Sequence, residues 1–138
     1  MKINARKGGF TLVEIMIVVA IIALLASIAV PNFMRARQRS QGSLIKDDLR
    51  ILDAAIDQWA IEKNKKNGEA VTVSDLKDYV KTGSAMYTSL ANNVAPNDPL
   101  GTPYVITNVG TAPQFNVTTY TALSDACDTV FFSPFSHN

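Results

Sequence analysis

Residues 15–34 read IMIVVAIIALLASIAVPNFM and carry no charge. Wound as an α-helix, such a stretch spans roughly 30 Å, the thickness of a bilayer's hydrocarbon core. Lys2, Arg6 and Lys7 stand ahead of it in a short segment that ends Gly8-Gly9, and Arg35, Arg37 and Arg39 follow it. The chain thus has a membrane-seeking end and a water-soluble remainder. Three basic residues on each side leave the positive-inside rule undecided about orientation. The ordinary role of Arg35, Arg37 and Arg39 is snorkelling at headgroups; pairing with acids of neighbouring molecules is a second reading.

The helical pattern continues past the uncharged run. Ile45, Leu49, Leu52, Ile56 and Trp59 recur at alternating spacings of four and three, the period of an amphipathic helix. Asp47, Asp48, Arg50, Asp53 and Asp57 take much of the remaining surface. Between Phe10 and Glu62 only Pro31 and Gly42 interrupt the pattern. One long helix over 10–62 is expected, with its apolar half over about 10–34. A kink is expected near Pro31, because proline removes a backbone donor and crowds the preceding turn.

Beyond Glu62 the character changes. Lys63 to Gly68 (KNKKNG) reads as a polar helix exit. Val73–Lys81 reads as a short helix capped by Thr72 or Ser74 and stopped near Gly83. Asn92–Pro99 is a loop by its Pro and Asn content. Tyr104–Asn108 and Phe115–Tyr120 have the composition of β-strands joined through Gly110 and Pro113. Thr129–Phe132 suits a third strand or a buried loop. The fold class expected is therefore α+β, a long kinked helix packed against a small antiparallel sheet in a head formed by residues 63–138. Those residues make a marginal core by themselves, so the face from Ile45 to Trp59 is expected to be the spine of the head.

Composition narrows the function. Of 138 residues, 47% are hydrophobic and 18% charged, and the net charge is +1, so no global field points to nucleic acid. A single cysteine, Cys127, closes no internal disulfide, and a single histidine, His137, makes poor material for catalysis or metal binding. No enzyme activity and no cofactor are expected. A structural or interaction protein remains.

Gly8-Gly9-Phe10-Thr11-Leu12-Val13-Glu14, followed by the apolar run and Pro31, resembles the amino-terminal signature of type IV prepilins and type II secretion pseudopilins. The resemblance implies a leader, residues 1–9, that a prepilin peptidase removes between Gly9 and Phe10. It also implies N-methylation of Phe10, and assembly roles for Glu14 and for Pro31. Inner-membrane assembly machinery and a homo-oligomeric filament follow as partners. Before assembly the chain would sit in lipid as a single pass, leader cytoplasmic and head extracytoplasmic. After assembly it would belong to a cell-surface pilus or a periplasmic pseudopilus.

Elementary energetics agrees with a special role for Glu14. A carboxylate near a bilayer centre costs about 2.5–3.5 kcal/mol on insertion scales, less near the interface. The charged amine of Phe10 on a neighbouring subunit would remove that cost and fix the axial stagger. The local alternative is a capping box, since Thr11-x-x-Glu14 has its sequence. Ser27-Ile28-Ala29 suits an ordinary signal peptidase, but Glu14 at the front of the run and the helix beyond Pro31 argue against cleavage there. A different class of function, an extracytoplasmic binding or enzymatic domain tethered by the same segment, is the rival.

The chain departs from the family pattern in places. Ala23 stands where relatives often have a glycine, and Cys127 lacks the partner of a carboxy-terminal disulfide. Asn97-Asp98-Pro99-Leu100-Gly101-Thr102-Pro103-Tyr104 resembles the DPxGxPY loop of major pseudopilins; locally, Asp98 is expected to cap its turn and Tyr104 to begin a strand. Calcium binding in that family implies Ser124, Asp125 and Asp128 as oxygen ligands, a thin set beside the commoner solvated loop acids. Asn116-Val117-Thr118 matches a glycosylation triplet, which chance supplies often.

Overall fold

The structure, a computed structural model, describes residues 8–138; the basic residues Lys2, Arg6 and Lys7 lie outside the described residues. Helix α1 runs from Leu12 to Glu62, 51 residues, with Pro31 inside it. The proline does not end the helix. By packing, the chain divides into two units, Met1–Met34 and Arg35–Asn138, and α1 passes through both.

In the first unit every described side chain is exposed, including Ile15, Val18, Ile22, Leu25 and Phe33. Such a surface is stable only in lipid or against other apolar helices. Among the described residues one helix, α1, is long and apolar enough to cross a membrane.

In the second unit α1 is the spine. Ile45, Leu49 and Leu52 are fully buried, Ile56 is 1% exposed and Trp59 5%. Leu76, Leu90, Tyr104, Phe115, Leu123 and Phe132 close over that face. The helix exits through a Schellman arrangement: Lys65 N–H donates to the Ala60 carbonyl (2.8 Å) and Asn64 N–H to that of Ile61 (3.3 Å). Asn64 holds the left-handed position, φ 52°, a place asparagine tolerates better than most residues.

The rest of the head is short helices and loops. A 3₁₀ helix, Val73–Tyr79, follows Thr72, whose N–H and hydroxyl both donate to the Asp75 carboxylate (2.9 and 2.6 Å). Helix α2, Ala85–Ala91, was not foreseen; Ser84 caps it, its Oγ accepting from Tyr87 N–H at 3.0 Å.

The expected antiparallel sheet is corrected: the described residues contain no strand, and their β pairing is three isolated bridges. Val105 and Gln114 exchange N–H···O bonds of 2.8 and 3.0 Å, a single rung just ahead of the second expected strand, whose first residue, Phe115, bridges to His137 instead. Pro103 stands two residues before that rung, at the next hydrogen-bonding position, and has no N–H to extend it. Residues 117–120 are not a strand. They open helix α3, Val117–Leu123, capped by Asn116, whose side chain accepts from Thr118 N–H at 2.8 Å. The β-branched run Val117-Thr118-Thr119 suits a strand by propensity, but the cap and the burial of Thr119 and Leu123, one turn apart, set a helix. Likewise Thr129–Phe132 is a short helix, α4, and not a strand. Asp128 caps it, accepting from Phe131 N–H at 2.8 Å, and Phe132 inserts against Phe115 with ring centroids 4.5 Å apart.

Candidate functional site

The residues singled out at the amino-terminal junction fall where α1 begins. Thr11 immediately precedes the helix, so Glu14 is its third residue. The Glu14 carboxylate accepts from the Thr11 N–H (2.8 Å) and hydroxyl (3.0 Å), while Thr11 Oγ1 accepts from Glu14 N–H at 3.2 Å. A capping box is therefore formed. Both bonds to the carboxylate fall on Oε2, which leaves Oε1 for a donor from another molecule. Capping and pairing with a neighbour are compatible.

Among the described residues nothing stands within 4 Å of a Cβ built on Gly9, and Phe10 beside it is 86% exposed.

Ser124, Asp125 and Asp128 do come together, lining one open depression with Arg39, Ala126 and Phe131. The donor set does not fit calcium. Asp128 spends Oδ1 on the cap of α4 and keeps Oδ2 alone for a ligand, and the Ser124 hydroxyl donates to the Thr121 carbonyl at 2.9 Å. Two carboxylates in a depression that Arg39 also lines fall well short of the six to eight oxygens that calcium takes.

Two links of the DPxGxPY-like loop were missed by sequence reasoning. Asp98, 6% exposed, does cap its turn, accepting from Leu100 N–H (2.8 Å) and Thr102 N–H (3.0 Å). Its other oxygen accepts from the hydroxyls of Thr102 and, across the head, Thr119 of α3. Tyr104 begins no strand; its hydroxyl donates to Asp48 Oδ2 on α1 at 2.9 Å. Burial pushes the Asp48 carboxyl above the usual carboxylate range against the pull of that bond, and burial together with Asp48 pushes the Tyr104 hydroxyl up. A signal was present: Asp48 stands three residues after Ile45 and four before Leu52, at the edge of the apolar face.

Residues 4–30 match the family described as the prokaryotic N-terminal methylation motif. The type II secretion system core protein G of Pectobacterium carotovorum subsp. carotovorum is 33% identical over 112 residues, 76% of this chain and 69% of that protein. Its counterpart from Klebsiella pneumoniae is 30% identical over 120 residues, 81% of this chain and 82% of that one. The type IV major pilin protein PilA of Myxococcus xanthus (strain DK1622) is 47% identical over 64 residues, 46% of this chain and 29% of the pilin's length. No solved structure matches. The chain belongs to the family of type IV pilins and type II secretion pseudopilins.

Proposed function

We propose that the protein is a structural subunit of a type IV pilus or a type II secretion pseudopilus, stored in the inner membrane and assembled after removal of residues 1–9. The observation that carries this reading is the contrast along one helix: wholly exposed apolar side chains over its first part, a buried spine over its second. An exposed apolar helix continuous with a folded head is what a polymer of packed helices requires. Lipid and neighbouring helices are both apolar, so exchanging one for the other costs little, and one repeated heterologous contact builds a helical filament.

In this reading the prepilin peptidase cuts between Gly9 and Phe10, the new amine of Phe10 is methylated, and Glu14 receives it from the adjacent subunit. Pro31 shapes the helix for packing. The head is extracytoplasmic before assembly. The work of the protein is mechanical, in keeping with relatives named as a major pilin and as secretion core proteins.

Glu14→Val tests the assembly role. The variant should insert into the membrane at least as well as the native chain, because a desolvation cost disappears. Electron microscopy and crosslinking should nonetheless find few filaments. Normal homopolymers from Glu14→Val would reduce Glu14 to its cap on α1.

A further inference from the structure

The depression that does not suit calcium has another property. Arg39, Asp125 and Asp128 all line it, yet among the described residues no ion pair joins the arginine to either acid. Arg39 and Asp128 are held in place by backbone. Arg39 Nε donates to the Ala126 carbonyl at 3.3 Å, and Asp128 Oδ1 accepts the Phe131 N–H at 2.8 Å. Arg39 and Asp128, each anchored to backbone, and the exposed Asp125 thus line an open volume of about 440 Å³ with no ion pair formed between them. The complement of such a site is a small group carrying a separated negative and positive charge.

Its place on the chain says which zwitterion it meets. Gln38 and Arg39 tie residues 122 and 126 to the first turns of the second unit, and Arg39 follows Met34, the end of the uncharged run, by little more than one helical turn. With residues 15–34 in a bilayer, those turns lie at the headgroups. We propose that this depression holds the headgroup of a zwitterionic phospholipid with a primary ammonium, Arg39 on the phosphate and Asp125 and Asp128 on the ammonium. Guanidinium suits a phosphate by its fork of donors, and an ammonium presents three N–H donors to two carboxylates, which a quaternary choline does not. The proposal rests on the membrane-anchored reading above.

The test is native mass spectrometry of the full chain in detergent, with equal amounts of phosphatidylethanolamine, phosphatidylcholine and phosphatidylglycerol of matched acyl chains. The ethanolamine lipid should be retained about three- to fivefold over the other two, the scale of one exposed ion contact. Asp125→Asn with Asp128→Asn should abolish that preference and leave phosphatidylglycerol retention undiminished; asparagine at 128 still caps α4. Arg39→Gln should lower retention of all three. Free phosphoethanolamine should compete with the lipid, and inorganic phosphate should compete far less.

Equal retention of the three lipids, a preference that survives the acid substitutions, or equal competition by inorganic phosphate would each overturn the proposal. Displacement of the lipid by added calcium would assign the depression to the metal instead. Carbonate extraction of cell membranes separates the two readings. Protein released into the soluble fraction defeats the anchoring, whereas embedded protein with no lipid preference defeats only the headgroup slot.

Discussion

At position 42 the helix gives up propensity for contact. Glycine inside a helix costs about 1 kcal/mol relative to alanine, yet Gly42 is buried, and a Cβ there would stand 2.8 Å from Cys127 Sγ and 3.0 Å from Phe131 Cε1. Overpacking of that kind costs typically about 1–3 kcal/mol, which exceeds the propensity gain once two neighbours must move. Gly42→Ala should therefore lower the denaturation midpoint of the head, and Cys127→Ala in the same chain should recover part of the loss. A stabilised single variant would show that the Cys127 and Phe131 side chains yield freely. A second pair sets a titration. Tyr79 donates to Glu62 Oε2 at 2.7 Å, which holds the Glu62 carboxyl below its ordinary value and pushes the Tyr79 hydroxyl up to about 12. Because the folded tyrosine value is raised, its contribution to stability is present below about pH 10 and is lost as pH rises through about 12. The Glu62 side has the opposite sign: present above the ordinary carboxylate value and lost as pH falls through the lowered one. Carbon-13 titration of labelled tyrosine should find Tyr79 displaced upward, and Tyr79→Phe should raise the Glu62 value toward the ordinary range, with Lys63 at 3.1 Å still holding it down. An ordinary Tyr79 midpoint would show the bond to be absent in solution.

Among the elements, α1 was legible in the sequence and the head was not. The period from Ile45 to Trp59 marks a helix face because burial on a helix repeats every three to four residues, and all five residues are buried. The head misled because its segments are short. Val117-Thr118-Thr119 and Thr129-Val130-Phe131-Phe132 have strand composition, but each follows a capping residue, Asn116 or Asp128, that directs the chain into a helical turn. In segments of four to seven residues a cap and one buried anchor outweigh propensity. The capping box of Thr11 and Glu14 was legible because Thr-x-x-Glu carries it at fixed spacing, whereas the Tyr104–Asp48 bond joins residues far apart in sequence, and the place of Asp48 at the edge of the apolar face does not name its partner. The claim that α1 is the spine is tested by substitution. In a fragment over 35–138, Trp59→Ala should cost about 3–5 kcal/mol, a large share of the roughly 5–15 kcal/mol that holds a domain together. Asp57→Ala, at an exposed position, should barely move the melt. Equal effects from the two would remove Trp59 from the core.

For the whole molecule the question is whether α1 is a polymer element or a tether. A tethered domain would fold without its helix, so residues 63–138 alone would give a cooperative melt by circular dichroism. The account expects no such melt, because the buried face of α1 would be gone. It also expects processing that a tether would not need. Gly9→Val should leave the precursor uncut: among the described residues nothing crowds position 9, so the obstruction would arise where a peptidase approaches the backbone. Mass spectrometry of the native protein taken from assembled filaments decides between polymer element and tether. A subunit that has lost residues 1–9 and begins at an N-methylated Phe10 is expected; a chain still beginning at Met1 would overturn the filament reading.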